Sequence, residues 1–380
     1  MAFAFDHPVL HRIPPPLEHI EFVNVRLPFI SPFGISAHVW TCKEALLLRV
    51  TSGGHTAWSE CVADPDPYYL PETTSTAAHI IRDFLLPVVK DGMTMADILA
   101  EFRKVKGNPM AKATVENALL VLLAEGDNVP LHALLGQTPA RIMSGISIGI
   151  KETVDDLLAA VQEAVDKKYH RVKMKIKRGK DVAWVRAVRE RFPDIQLMVD
   201  ANCDFTLDDL PMLRALDAFG LTMIEQPLSY ADIYQHSLVQ KELKTAVCLD
   251  ESILCLDDAA TALALGSCRI INIKEGRVGG LIESMRIAAL CQQHGIPVWS
   301  GGMDETGIGR AVNIHLQTVP GFTLPGDTSE TSRYFTEDIA DPPVVLDREG
   351  FITIPPGPGL GIHIDPERLN RYLVKRETIR

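Results

Sequence analysis

The chain reads as an α/β protein, a (β/α)8-type barrel preceded by an α+β lobe. Three observations predict this. From Ile142 onward, short apolar runs alternate with helical stretches, the texture of a parallel sheet with crossover helices. Three of these runs end in an acid: Leu197-Met198-Val199-Asp200, Met223-Ile224-Glu225 and Val247-Cys248-Leu249-Asp250. The acids lie 25 residues apart each time, which is about one strand–helix repeat of a barrel. Eight such runs, with reactive side chains at their C-terminal ends, favour a closed barrel over a doubly wound sheet.

The elements follow in order. Residues 1–19 contain Pro14-Pro15-Pro16 and read as an extended arm. Ile20–Pro28, Glu44–Val50 and Thr56–Glu60 read as strands, with Thr51-Ser52-Gly53-Gly54-His55 as a turn between the last two. Thr73–Val89, Met95–Val105 and Ala111–Leu123 show helical periodicity. These make an α+β domain over residues 1–140. The barrel is expected over 141–330. Its strands are Ile146–Gly149, Arg171–Lys177, Gln196–Asp200, Thr222–Glu225, Ala246–Asp250, Ile270–Lys274, Pro297–Ser300 and a short one near Phe322–Leu324. Helices between them include Val154–Lys168, Val182–Arg191, Leu207–Ala218 and Ile282–His294. Residues 331–380 carry several prolines and no clear repeat.

Composition excludes several partners. A net charge of −11, spread along the chain, argues against a polyanion. Lys167–Lys180 is dense in Lys and Arg, but its strand alternation places it in the barrel and not on a nucleic-acid surface. No apolar run approaches the ~18 residues of a membrane span, and the proline-rich start does not resemble a signal peptide. The seven cysteines form no C-x-x-C pair, and Cys203, Cys248, Cys268 and Cys291 lie in or beside apolar runs. Buried free thiols in a reducing, cytoplasmic compartment are expected.

The acids and the lysines around them carry the chemistry. Asp200, Glu225 and Asp250, with no His or Cys beside them, suit a hard cation, Mg²⁺ or Mn²⁺. A helix cap explains one such acid, but not three at one spacing with a Glu among them. Upstream, Arg171–Lys177 alternates basic and apolar residues, so Lys173 and Lys175 share one face of a strand. Downstream, Lys274 ends the run Ile270-Ile271-Asn272-Ile273. These are strands two and six, on opposite sides of a barrel, so the metal ligands have a lysine on each flank. Lys175 is the first choice as a base that removes a proton from carbon. Lys173, a like charge on the same face, would lower its pKa. Lys274 is the acid/base of the opposite face.

The ordered motifs K-x-K, D-x-N, E-Q-P, D-E-S and N-I-K resemble the enolase superfamily, muconate-lactonizing enzyme subgroup. Gly301-Gly302-Met303, Glu305–Arg310 and Leu324-Pro325-Gly326-Asp327 add to the resemblance. Within the subgroup, Asp66–Thr73 and Lys274–Gly280 are most similar to the o-succinylbenzoate synthase/N-succinylamino acid racemase family. The likeness runs from about Leu27 to Ile339. It implies a modified (β/α)7β barrel, a capping first domain and a tail that returns to it. It implies Mg²⁺ beside a lysine base, a small-molecule carboxylate substrate and a homo-oligomer. It implies that Arg277 goes with racemase activity, acting on Lys274. Ser147, Asn202, Glu251, Gly302, Met303 and Glu305 fall where contacts to substrate or to the ligands are expected. Two positions depart from the pattern: Asp304, usually apolar, and Glu275, often proline. Both add negative charge near the mouth and bear on the substrate. Dipeptide epimerase, muconate cycloisomerase and a barrel without activity are the competing readings.

Overall fold

A computed structural model describes residues 5–35, 38–136 and 141–380. Part of the proline-rich arm and part of the segment Phe29–His38 lie outside the described residues. The chain opens in an antiparallel meander: β1 (His19–Gly34), β2 (Val39–Ser52) and β3 (His55–Cys61). Ser52 pairs with His55, so Gly53 and Gly54 alone make the turn between β2 and β3. Their φ values are 56° and 83°. A type I′ hairpin needs positive φ at both positions, and glycine supplies it without strain. β1 and β2 run past the expected Pro28 and Glu44 because the hairpin continues beyond the core, after a shift in register.

Helices α1 (Thr74–Ile80), α2 (Met95–Phe102), α3 (Pro109–Gly126) and α4 (Leu131–Leu134) complete the lobe. The expected single helix Thr73–Val89 is interrupted. A π turn over Ile81–Leu85 and a 3-10 turn over Leu86–Val88 follow α1. Pro87 has no N–H for an α-helical bond and explains the loss of regular winding. α3 is buried on nearly every face, from Met110 to Ala124, because it packs on β2 and β3 on one side and on the barrel on the other.

After β4 (Arg141–Met143) come seven parallel strands: β5 (Gly145–Ile148), β6 (Arg171–Lys175), β7 (Leu197–Asp200), β8 (Ile224–Glu225), β9 (Val247–Leu249), β10 (Ile270–Ile273) and β11 (Val298–Ser300). They are neighbours in chain order. Strands covered on both faces read as unbroken apolar runs, which is why they are legible in the sequence. Outside them lie α5 (Val154–Asp166), α6 (Val182–Arg191), α7 (Leu210–Ala215), α8 (Tyr234–Glu242), α9 (Leu256–Leu265), α10 (Glu275–Val278), α11 (Leu281–Gln293) and α12 (Gly307–Leu316). The expected helix Leu207–Ala218 is α only over α7, with 3-10 turns on either side.

The expected eighth strand is a correction. Around Phe322–Leu324 there is no regular strand, only single bridges from Phe322 to Val298 and from Gly326 to Ser144. Thr323 donates to Val298 O at 3.2 Å and Gly145 to Gly326 O at 2.6 Å, so this segment joins the two edges of the sheet. Pro325 cannot donate and prevents a longer ladder. The tail adds β12 (Ala340–Asp341), β13 (Phe351–Thr353), β14 (His363–Ile364), α13 (Pro366–Tyr372) and β15 (Leu373–Thr378). β15 pairs with β1, so the C-terminal segment closes the first sheet in the order β15-β1-β2-β3. All seven cysteines are free; Cys248, Cys268 and Cys291 are buried as expected, whereas Cys203 is only partly so. No helix among the described residues is long and apolar enough to cross a membrane.

Two lobe carboxylates dock on barrel helices. Glu60 of β3 accepts from Thr306 N at 3.0 Å and Gly309 N at 3.2 Å, at the start of α12. Glu116 of α3 accepts from Ile282 N at 2.8 Å, at the start of α11. Each satisfies donors that a helix N-terminus leaves free. Glu275, between them, accepts from Asn117 Nδ2 at 2.9 Å, while Asn117 Oδ1 has no partner among the described residues. Burial pushes the Glu275 carboxyl up to about 8; Asn117 opposes this and the charges of Glu305 and Glu60 add to it. A carboxyl raised in the folded state stabilises fully below its unfolded value and loses that stabilisation as pH rises through the folded one. Stability is therefore expected to fall between pH 4.5 and pH 8, by up to about 1.4 kcal/mol per pH unit for such a group. Glu275→Gln should flatten that slope and raise stability at the alkaline end, since an amide donates to Asn117 Oδ1 without titrating. Urea midpoints of both proteins across this range check it; parallel slopes would refute it.

Candidate active site

The register of the strands sets the site. Lys175 pairs with Asp200, Asp200 with Glu225, and Glu225 with Cys248, two residues before Asp250. The three acids thus stand at the C-terminal ends of the adjacent strands β7, β8 and β9, all of them buried. They share that end of the barrel without closing on one point. Among the described residues no three His, Cys, Asp or Glu side chains are grouped as a ready-made metal site. Basic side chains interleave with the acids instead.

On one wall, Lys175 donates to Asp200 Oδ2 and to Asn202 Oδ1, each at 2.6 Å. Lys173 lies 3.1 Å from Glu225 Oε2, 3.4 Å from Asp200 Oδ2 and 2.6 Å from Asp327 Oδ2. It is not the bare like charge beside Lys175 that alternation alone suggests. Burial opposes its charge, but Asp327, Glu225 and Asp200 outweigh that and hold the ammonium above its ordinary range. Arg171 also holds Asp327, at 2.5 Å, and its guanidinium lies 4.4 Å from the centre of the Trp299 ring. Behind Glu225, Asn272 donates to Oε1 at 2.8 Å.

The opposite wall is built from β10 and the lobe. Lys274 lies 3.0 Å from Asp250 Oδ2 and donates to the Tyr69 hydroxyl at 2.6 Å, while Tyr69 donates to Asp250 Oδ2 at 3.1 Å. Burial opposes the Lys274 charge, but Tyr69, Glu251 and Glu225 outweigh it and raise the ammonium's pKa. Arg277 is fully buried. It donates to Asp250 Oδ1, to Ile253 O at 3.0 Å and to Asn272 O at 2.7 Å. It meets Lys274 through the carboxylate they share and through Tyr69, which interacts with both.

The remaining expected positions fall around these walls. Asn202 donates to Glu251 Oε1 at 2.9 Å. Ser147, Gly302, Met303 and Glu305 line the cavity that Lys175 and Lys274 also line. Glu305 accepts from Met303 N and Asn313 Nδ2, each at 2.8 Å. Asp327, Tyr69, Asn272 and Lys43 were not assigned site roles from the sequence. In the sequence Asn272 stands out as the one polar residue inside an apolar run, and Tyr69 only through the family likeness of its segment. Lys43, on a lobe strand, gave no signal.

The acids fit a divalent cation. Burial, and then the charge of Asp200, push the Glu225 and Glu251 carboxyls up. Glu251 Oε2 and Asn272 Oδ1 are buried with no hydrogen-bond partner among the described residues. An all-oxygen set under mutual repulsion, with unused lone pairs, is what Mg²⁺ or Mn²⁺ relieves.

Sheet, lobe and cavity together define a capped α/β-barrel enzyme. Two family descriptions match the chain: "Mandelate racemase / muconate lactonizing enzyme, N-terminal domain" over residues 19–136 and "Enolase C-terminal domain-like" over 156–368. An o-succinylbenzoate synthase from Geobacillus kaustophilus is 45% identical over 359 residues, 94% of this chain and 96% of the relative. An N-succinylamino acid racemase from Amycolatopsis sp is 42% identical over 366 residues, 96% of this chain and 99% of the relative. A crystal structure of an enolase-superfamily member from Listeria innocua superposes with a TM-score of 0.92 at 38% identity, covering 95% of this chain and 98% of that one. The chain belongs to the enolase superfamily, in the o-succinylbenzoate synthase/N-succinylamino acid racemase family of its muconate-lactonizing subgroup.

Proposed function

We propose that this enzyme removes the proton α to a carboxylate and acts as an o-succinylbenzoate synthase, an N-succinylamino acid racemase, or both. The observation that supports this is the placement of Lys175 and Lys274 on separate walls of one cavity, above buried acids. Asp200, Glu225 and Asp250 would hold Mg²⁺ or Mn²⁺. The ion supplies positive charge to the substrate carboxylate as the neighbouring carbon loses its proton. Lys175 takes that proton from one face and Lys274 serves the other. With both lysines acting on one carbon, the proton leaves one face and returns to the other, which is racemisation. With a β-hydroxyl present, Lys175 takes the α-proton and returns it to the departing hydroxide, so that water leaves, while Lys274 stays cationic. Deuterium exchange at the α-carbon of an N-succinylamino acid, in D₂O with Mg²⁺, and dehydration of the o-succinylbenzoate precursor test the reading; failure of both would refute it and favour an inactive barrel. A cytoplasmic homo-oligomer is part of the same proposal, and gel filtration of the pure chain checks the assembly.

Arg277 gives a prediction that separates the two reactions. It and Lys274 both draw on Asp250, so without Arg277 the full charge of Asp250 falls on Lys274 and favours its protonated form. A racemase needs Lys274 in both protonation states; dehydration needs it only as a cation. Arg277→Gln should therefore lower racemisation more than o-succinylbenzoate formation, with exchange lost on the Lys274 side. Equal losses in both reactions and on both faces would mean that Arg277 acts through folding.

A further inference from the structure

Gln226 follows Glu225 at the end of β8 and is fully buried. Its φ is 34°, a left-handed value uncommon for a residue with a side chain. Its main chain joins three strand ends. The N–H donates to Cys248 O on β9 at 2.9 Å, and the carbonyl accepts from Cys203 N, just past β7, at 3.0 Å. The side chain adds a further link. Its Oε1 accepts from Asp250 N at 2.9 Å and from Ser252 N at 3.4 Å. The main chain of Asp250 is thus held by the residue next to Glu225.

The surroundings require an amide and fix which way it points. Nε2 donates to Ser229 O at 3.1 Å, to Leu228 O at 3.4 Å and to Ser252 Oγ. Ser252 Oγ donates its one proton to Asp232 O at 2.7 Å, so towards Gln226 it acts as an acceptor. Main-chain N–H groups therefore face one end of the side chain, and carbonyls with an occupied hydroxyl face the other. A glutamate would set an oxygen against two carbonyls. An apolar residue would leave buried N–H and C=O groups without this partner.

We propose that Gln226 is a positioning residue that fixes the spacing of Glu225 and Asp250 at which they hold the divalent cation. The proposal rests on the assignment of Asp200, Glu225 and Asp250 to that ion, and it adds the device that keeps two of them in place. Carboxylates at neighbouring strand ends repel one another. The ladder between β8 and β9 is short, pairing Ile224 with Val247 and Glu225 with Cys248, and Asp250 lies two residues beyond it. Lys274 and Arg277 grip Asp250 from the carboxylate side and do not tie its main chain to β8. The Gln226 amide does. Groups that only orient a ligand typically contribute a factor of about 10–100 in metal affinity.

The test is a calorimetric Mg²⁺ titration of the wild type and of Gln226→Met, with urea midpoints of both taken in EDTA. Methionine matches glutamine in length and removes the hydrogen bonding at both of its ends. Gln226→Met should bind Mg²⁺ about 10- to 100-fold more weakly, and the Mg²⁺ concentration that gives half-maximal turnover should rise by the same factor. A residue that serves only the fold would lower the urea midpoint and leave Mg²⁺ affinity alone; that result overturns the proposal. If Gln226→Met does not fold, Ser252→Ala decides, because it takes one anchor from Nε2. Weaker Mg²⁺ binding by Ser252→Ala then supports the proposal, and wild-type affinity overturns it. A wild type that binds no Mg²⁺ overturns the metal reading, and this proposal with it. Mg²⁺ binding that both variants keep at wild-type strength overturns this proposal alone.

Discussion

Replacing Asp250 with Asn is expected to abolish turnover while the protein stays folded. Asp250 is buried and placed at the end of β9, in line with Asp200 and Glu225. In the proposed reaction it is one of three carboxylates that hold the ion. Losing one preorganised electrostatic element of this kind costs a factor on the order of a thousand in kcat, and Mg²⁺ affinity should fall with it. The substitution also weakens a buried ion pair with Arg277, and removing one partner of such a pair costs up to about 3–5 kcal/mol. Arg277 keeps its bonds to Ile253 O and Asn272 O, and the asparagine carbonyl still accepts, so a smaller loss is expected. Calorimetric Mg²⁺ titration and a urea melt distinguish lost metal from lost fold. Full activity of the wild type after exhaustive chelation with EDTA would sink the metal assignment.

The second large effect is a split between faces. Lys175→Ala should stop exchange starting from one enantiomer, and Lys274→Ala should stop it from the other. General acid–base groups contribute roughly 10²- to 10⁴-fold, so racemisation, which needs both, should fall by at least that much in either variant. The motivation is geometric: Lys175 stands on β6, Lys274 on β10, and both line one cavity. Exchange followed separately for each enantiomer in D₂O reads each face alone. A variant that still racemises near the wild-type rate would remove that lysine from the mechanism.

Much of the barrel was legible because strands buried on both faces leave apolar runs. Each acid or lysine that ends such a run is conspicuous, as in Val199-Asp200 and Ile273-Lys274. The eighth segment misled because its pairing is two isolated bridges around Pro325 and not a ladder. The interrupted helix after Thr73 misled because its apolar spacing survives a π turn that changes the hydrogen bonding. Arg277 read equally well as an exposed loop residue, yet it is fully buried. Its burial depends on Asp250 and on carbonyls of Ile253 and Asn272, which meet it only when β9 and β10 lie side by side.

The sequence by itself determined the parallel barrel, the spacing of the three acids and the shared face of Lys173 and Lys175. These follow from local periodicity and from one repeated strand–helix unit. Tertiary structure alone decided the partners. It brought Tyr69 across from the lobe to Lys274, set Asp327 against Lys173, and placed Lys43 between acids of lobe and barrel. Arg171 and the Asp327 it shares with Lys173 are 156 residues apart in the chain, and Lys274 and Tyr69 are 205 apart. The physical reason is that a charge buried far from water is governed by whichever opposite charges pack within a few ångströms. Spacing along the chain carries no record of which distant residues those are.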